Sequence, residues 1–112
     1  MLINCTAYQH GRKLAELPVE RIGDYLARPD TFVWVALKDA TPEELAVMKG
    51  VFDLHELAVE DANHGHQRPK VERYDDTIFM ILKTLWYVDE TDAVETGEIS
   101  LFVGRDFVVS VR

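Results

Sequence analysis

The sequence predicts an α/β domain in which helices pack on a mixed β-sheet, and three observations carry that expectation. A continuous apolar and β-branched run, Thr31 to Leu37, is bounded by Pro29-Asp30 and Lys38-Asp39, the pattern of a strand covered on both faces near the centre of a sheet. Two helix signatures follow it in succession. After Pro69 the chain reads as strands alone, so the strict alternation of a doubly wound fold is missing.

Taken in order, Met1 to Tyr8 carries Leu2, Ile3, Cys5 and Tyr8, and the turn signal His10-Gly11 leads to a second segment, Arg12 to Leu17, completing a short hairpin. Pro18 suits a first helical position, with Val19, Ile22, Tyr25 and Leu26 on one face until Arg28-Pro29 ends the helix. Thr41-Pro42-Glu43-Glu44 supplies a cap, a first-turn proline and a capping box for a helix burying Leu45, Met48 and Phe52. Asp53 is placed to cap the next helix, with Leu54, Leu57 and Ala58 inward and Glu60 and Asp61 outward. Gly65 and Pro69 stop helical structure. Strands are expected at Val71 to Tyr74 and Thr77 to Tyr87, then an acidic loop from Val88 to Thr96. Glu98 to Val103 and Phe107 to Val111 form a hairpin around Gly104-Arg105-Asp106, with Ile99, Leu101 and Val103 alternating against Ser100.

A chain of 112 residues fits one domain able to bury a core without disulfide staples. Twenty acids against twelve Lys and Arg leave a formal charge of -8, which repels nucleic acid and attracts cations. Cys5 is the only cysteine, so no intrachain disulfide forms. No apolar run approaches the roughly 18 to 20 residues of a membrane helix. No glycine-rich phosphate loop, nucleophile elbow or Ser-His-Asp arrangement is present, so the chain does not read as an enzyme.

The densest chemistry lies between Leu57 and Glu72. Glu60 and Asp61 offer hard carboxylate oxygens, but adjacent helical positions point about 100 degrees apart, so a second surface must complete any ion shell. Acids near a helix end also oppose its macrodipole. His64 and His66 form an HxH pair that transition metals can use, yet such sites want three or four ligands, and two exposed loop histidines is the weightier reading. Arg68 and Lys70, flanking Pro69 among acids, suggest an ion-pair network that pins a turn. The loop acids Asp89, Glu90 and Asp92 lack the spacing of a calcium loop.

Leu57-Ala58-Val59-Glu60-Asp61 followed by His66-Gln67-Arg68-Pro69-Lys70-Val71-Glu72 closely resembles the N-terminal cytoplasmic domain of CorA-type magnesium and cobalt transporters. Phe32 to Leu37, Phe52 to His55, Ile78 to Lys83 and Glu98 to Val103 fall where that family has similar segments. The resemblance implies a CorA soluble-domain-like fold, with residues 1–112 forming one cytoplasmic N-terminal domain that lacks the stalk helix, both membrane helices and the Gly-Met-Asn pore signature. It implies a homopentamer on the cytoplasmic face of the inner membrane, joined to the membrane only through those C-terminal helices. It also implies regulatory magnesium, or cobalt, held weakly between subunits by Asp61 foremost and Glu60 second. His66, Gln67, Arg68, Pro69, Lys70 and Glu72 then form a structural turn. Two alternatives stay open: a zinc transporter of the same superfamily, hinted at by His64 and His66, and a free-standing soluble interaction module.

Overall fold

The computed structural model describes residues 1–65 and 67–112; His66, part of both the turn motif and the histidine pair, lies outside the described residues. The elements are β1 (Leu2–Gln9), β2 (Arg12–Glu16), a 3-10 turn (Val19–Arg21), α1 (Ile22–Leu26), β3 (Thr31–Leu37), α2 (Pro42–Phe52), α3 (Glu56–His64), β4 (Lys70–Tyr74), β5 (Thr77–Val88), β6 (Ala93–Val103) and β7 (Phe107–Val111). The strands form one seven-stranded sheet in the order β2-β1-β3-β7-β6-β5-β4. β3 and β7 pair in parallel and every other ladder is antiparallel, so the expected mixed sheet is present with β3 beside its central strand.

All the helices lie on one face of that sheet. Val33, Val35 and Leu37 of β3 bury their side chains with Cys5 and Ala7, Phe79 and Ile81, Phe102, and Val109 and Val111. Strand pairing puts these residues in register on a common side, because side chains alternate with period two. Ile22, Leu45, Met48, Phe52, Leu54, Ala58 and Val59 close the core from the helices. The expectation that β3 is covered on both faces is therefore corrected: Phe32 and Ala36 are half-buried and Trp34 is 38% exposed on the opposite side. The same open face carries Ile78, Met80 and Leu82, which pair with Val103, Leu101 and Ile99 across β5 and β6. Ser100 and Phe102 are the residues of β6 turned inward, the reverse of the alternation read from the sequence.

Local chemistry explains most boundaries. His10 and Gly11 both have positive φ at the tight β1-β2 turn, as a primed hairpin turn requires. Pro18 stays extended and precedes a 3-10 turn, so helix α1 is only five residues long. The capping box at Thr41 and Glu44 forms as expected, with Pro42 in the first turn. Asp53 does not cap α3: it ends α2 in the left-handed region. His55 takes the cap instead, its Nδ1 accepting from the Leu57 N–H at 3.1 Å. Leu57 points outward, and Val59 fills the core position instead. Residues 93–96, expected in a loop, extend β6, which pairs along β5 from Val88 with Ala93 onward. The acidic connection shrinks to residues 89–92.

Candidate functional site: an acid pair on α3 braced by β4

The segment between α3 and β4 turns a helix back onto the edge of the sheet. Gly65 stands at φ +61, a backbone that costs glycine nothing, and the Gln67 N–H donates to Glu98 Oε1 at 2.8 Å, fastening the turn to β6. Lys83 holds the same carboxylate oxygen at 2.9 Å. The chain then enters β4, whose residues alternate between the two faces of the sheet. Val71 and Arg73 pair with Met80 and Ile78 on the open face, while Lys70, Glu72 and Tyr74 face α3.

This alternation builds the site. Lys70 Nζ lies 2.5 Å from Asp61 Oδ2 on α3 and 2.5 Å from Glu72 Oε1 on its own strand. The Tyr74 hydroxyl donates to the other Glu72 oxygen, and the His55 ring stacks on Tyr74 at 4.2 Å. Lys70 and Asp61 are 29% and 28% exposed. The Asp61 carboxylate foremost, then Glu72, holds the Lys70 ammonium well above its usual pKa. Lys70, and next the Tyr74 hydroxyl, lower the pKa of Glu72, and the Glu72 carboxylate raises that of Tyr74. Each shift favours the charged or hydrogen-bonding form that the geometry already pairs.

Glu60, one position before Asp61, is exposed, and its side chain has no ion-pair partner among the described residues. The two acids thus differ: Asp61 is anchored to the sheet through Lys70 and Glu60 faces solvent. His64 points its Nδ1 at the Glu60 carbonyl oxygen, 2.7 Å away, closing the last turn of α3. Arg68 is exposed and makes no ion pair among the described residues, so of the two expected cations only Lys70 joins an ion-pair network, with Asp61 and Glu72. Pro69 is exposed at the entrance to β4. Tyr74, His55, Lys83 and Glu98 belong to the arrangement without having been singled out from the sequence. The lysine, glutamate and tyrosine at alternate positions of a short strand are the signal that would have found Tyr74.

Among the described residues, no group of three or more His, Cys, Asp and Glu side chains gathers closely enough to hold a metal ion.

Residues 29–112 match the family model described as CorA-like Mg2+ transporter protein. The chain belongs to the CorA-like transporter family. Over 111 residues it is 32% identical to the putative metal ion transporter YfjQ of Bacillus subtilis, spanning 97% of this chain and 32% of that protein. A stretch of 58 residues, 52% of this chain and 16% of the relative, is 34% identical to the cobalt/magnesium transport protein CorA of Thermotoga maritima. Its fold superposes on the complete structure of the CorA magnesium transporter from Methanocaldococcus jannaschii with a TM-score of 0.67 at 15% identity, over 99% of this chain and 32% of that one. The CorA-like chain thus spans about a third of that transporter and of YfjQ. Its fold is that of the CorA soluble domain, as the sequence resemblance implied. No helix among the described residues is long and apolar enough to cross a membrane.

Proposed function

We propose that this chain is the cytoplasmic N-terminal regulatory domain of a CorA-type divalent metal channel, in which Glu60 and Asp61 sense internal magnesium at the boundary between subunits of a homopentamer. The observation that carries the reading is the acid pair itself, one member exposed and the other fixed at a defined position by a bridge to the sheet. Two carboxylates supply only part of an octahedral magnesium shell. Magnesium keeps several of its waters and is commonly held by one or two carboxylates, so oxygen donors from a neighbouring subunit and water would complete the shell. A site of that kind binds weakly, as a sensor of an abundant ion requires. Cobalt fits the same oxygen donors less selectively.

Loss of magnesium would leave like charges facing each other across the boundary, and the acidic domains, each of formal charge -8, would separate. The experiment is limited proteolysis of the complete transporter in a magnesium series. Asp61→Lys should abolish magnesium-dependent protection; protection at the unchanged concentration would overturn the assignment.

A further inference from the structure

The Asp61 carboxylate is not waiting for an ion. Lys70 already occupies one of its oxygens at 2.5 Å and shares itself with Glu72 at the same distance. We propose that Lys70 is a tethered counter-ion that competes with divalent cations for Asp61, so that this lysine sets the ion concentration at which the boundary responds. The proposal rests on the reading of Glu60 and Asp61 as a divalent-ion site and adds what tunes it.

The geometry fixes where the lysine is anchored and gives it a second acceptor. Its backbone is fixed in the β4-β5 ladder opposite Ile81, and its Nζ lies 6.0 Å from the centre of the Phe79 ring. Glu72 is itself held from its far side by the Tyr74 hydroxyl, so it stays in place whether or not the lysine also touches Asp61. When Asp61 is given up to an ion, Lys70 retains Glu72 as a partner and loses only half of its bridge. Glu72 is the resting acceptor that keeps displacement cheap. Without Lys70, Asp61 and Glu72 would both present unneutralised charge, and a cation would meet a more negative site. An ammonium within a few ångströms of a divalent ion opposes it by an amount that screening reduces but does not remove, on the order of a tenfold change in the ion concentration required.

The test measures the magnesium concentration giving half-maximal protease protection of the complete transporter, with fold monitored by thermal unfolding without divalent ions. Lys70→Met should lower that concentration about tenfold, and Lys70→Arg should stay within about twofold of the parent. Glu72→Gln, which removes the resting acceptor, should move it the opposite way, upward. Lys13→Met removes an equal charge on the remote strand β2 and should leave it unchanged. An unchanged or raised concentration in Lys70→Met, or an equal fall in Lys13→Met, overturns the role of Lys70. If Lys70→Met does not fold, Glu72→Gln decides: a rise supports the proposal, and no change or a fall overturns it. Asp61→Asn separates the two levels. If protection is insensitive to Asp61→Asn, the underlying ion site is wrong; if it is sensitive while Lys70→Met does nothing, only the lysine's role fails.

Discussion

His55 performs two tasks that can be taken apart. Its Nδ1 caps α3 by accepting from the Leu57 N–H at 3.1 Å, and its ring stacks on Tyr74 at 4.2 Å with 22° between the planes. An N-cap is worth about 1 kcal/mol, and an aromatic pair of this kind about 0.5 to 1.5 kcal/mol beyond the area it buries. His55→Ala loses both, roughly 2 kcal/mol in sum. His55→Phe keeps the ring and loses the cap, and His55→Asp keeps a capping oxygen and loses the ring, so each should cost about half as much. With a urea dependence of about 1 to 3 kcal/mol per molar, the alanine variant should unfold about 1 M earlier, and the other two should fall between it and the parent. Equilibrium urea unfolding of the four proteins, followed by circular dichroism, gives the comparison. If His55→Phe is as unstable as His55→Ala, the stack contributes nothing; if His55→Asp is, the cap contributes nothing.

Further outcomes follow from other contacts. Glu72 has its pKa lowered below the ordinary 4.5, first by Lys70 and then by Tyr74, so its contribution is complete above that value and is lost as pH falls through the depressed one. The stability gap between the parent and Glu72→Gln should therefore be constant near neutrality and close in acid, as urea midpoints across pH would show. A methyl group on Gly104 would sit 2.1 Å from the Phe107 ring, which stacks on Phe52 at 4.5 Å. Gly104→Ala should cost about 1 to 3 kcal/mol, and should cost much less in a Phe107→Ala background, where the obstruction is gone. Leu85 is 70% exposed at the far end of the β5-β6 hairpin, while Phe79 on the same strand is fully buried. Leu85→Lys should change stability by less than about 0.5 kcal/mol, against about 3 to 5 kcal/mol for Phe79→Ala; thermal unfolding distinguishes them.

Local signals in the sequence carried what local physics decides. The Thr41-Pro42-Glu43-Glu44 segment specifies a cap, a proline and a reciprocal hydrogen bond within four residues, and all three form. Non-local pairing carried the rest. Ala93 to Thr96 look like a loop because the acids among them and the adjoining Gly97 weaken a strand pattern, but β5 presents a long edge and the ladder continues along it. Phe32 to Leu37 is apolar at every position, which cannot say how many of its faces receive a helix. His55 is not legible as a cap because serine, threonine, asparagine and aspartate lead that preference. Glu60 and Asp61 were visible as a pair, but Asp61's tie to Lys70 depends on how the turn returns the strand, and spacing alone does not reveal it.

The left-handed turns bear on how the acidity of this domain should be understood. Asp30, Asp39, Asp53, Asp75 and Asp92 all have positive φ, between 49 and 57 degrees. That conformation is visited chiefly by glycine, asparagine and aspartate, the last two because a short polar side chain can satisfy the local backbone. Replacing all five by asparagine would keep the bends and change the formal charge from -8 to -3. More than half of the net negative charge is therefore a by-product of how the backbone turns corners. Isoelectric point is a poor guide to cation affinity in such a protein, and a charge-matched comparison of relatives should first set aside the acids that serve as hinges of the path.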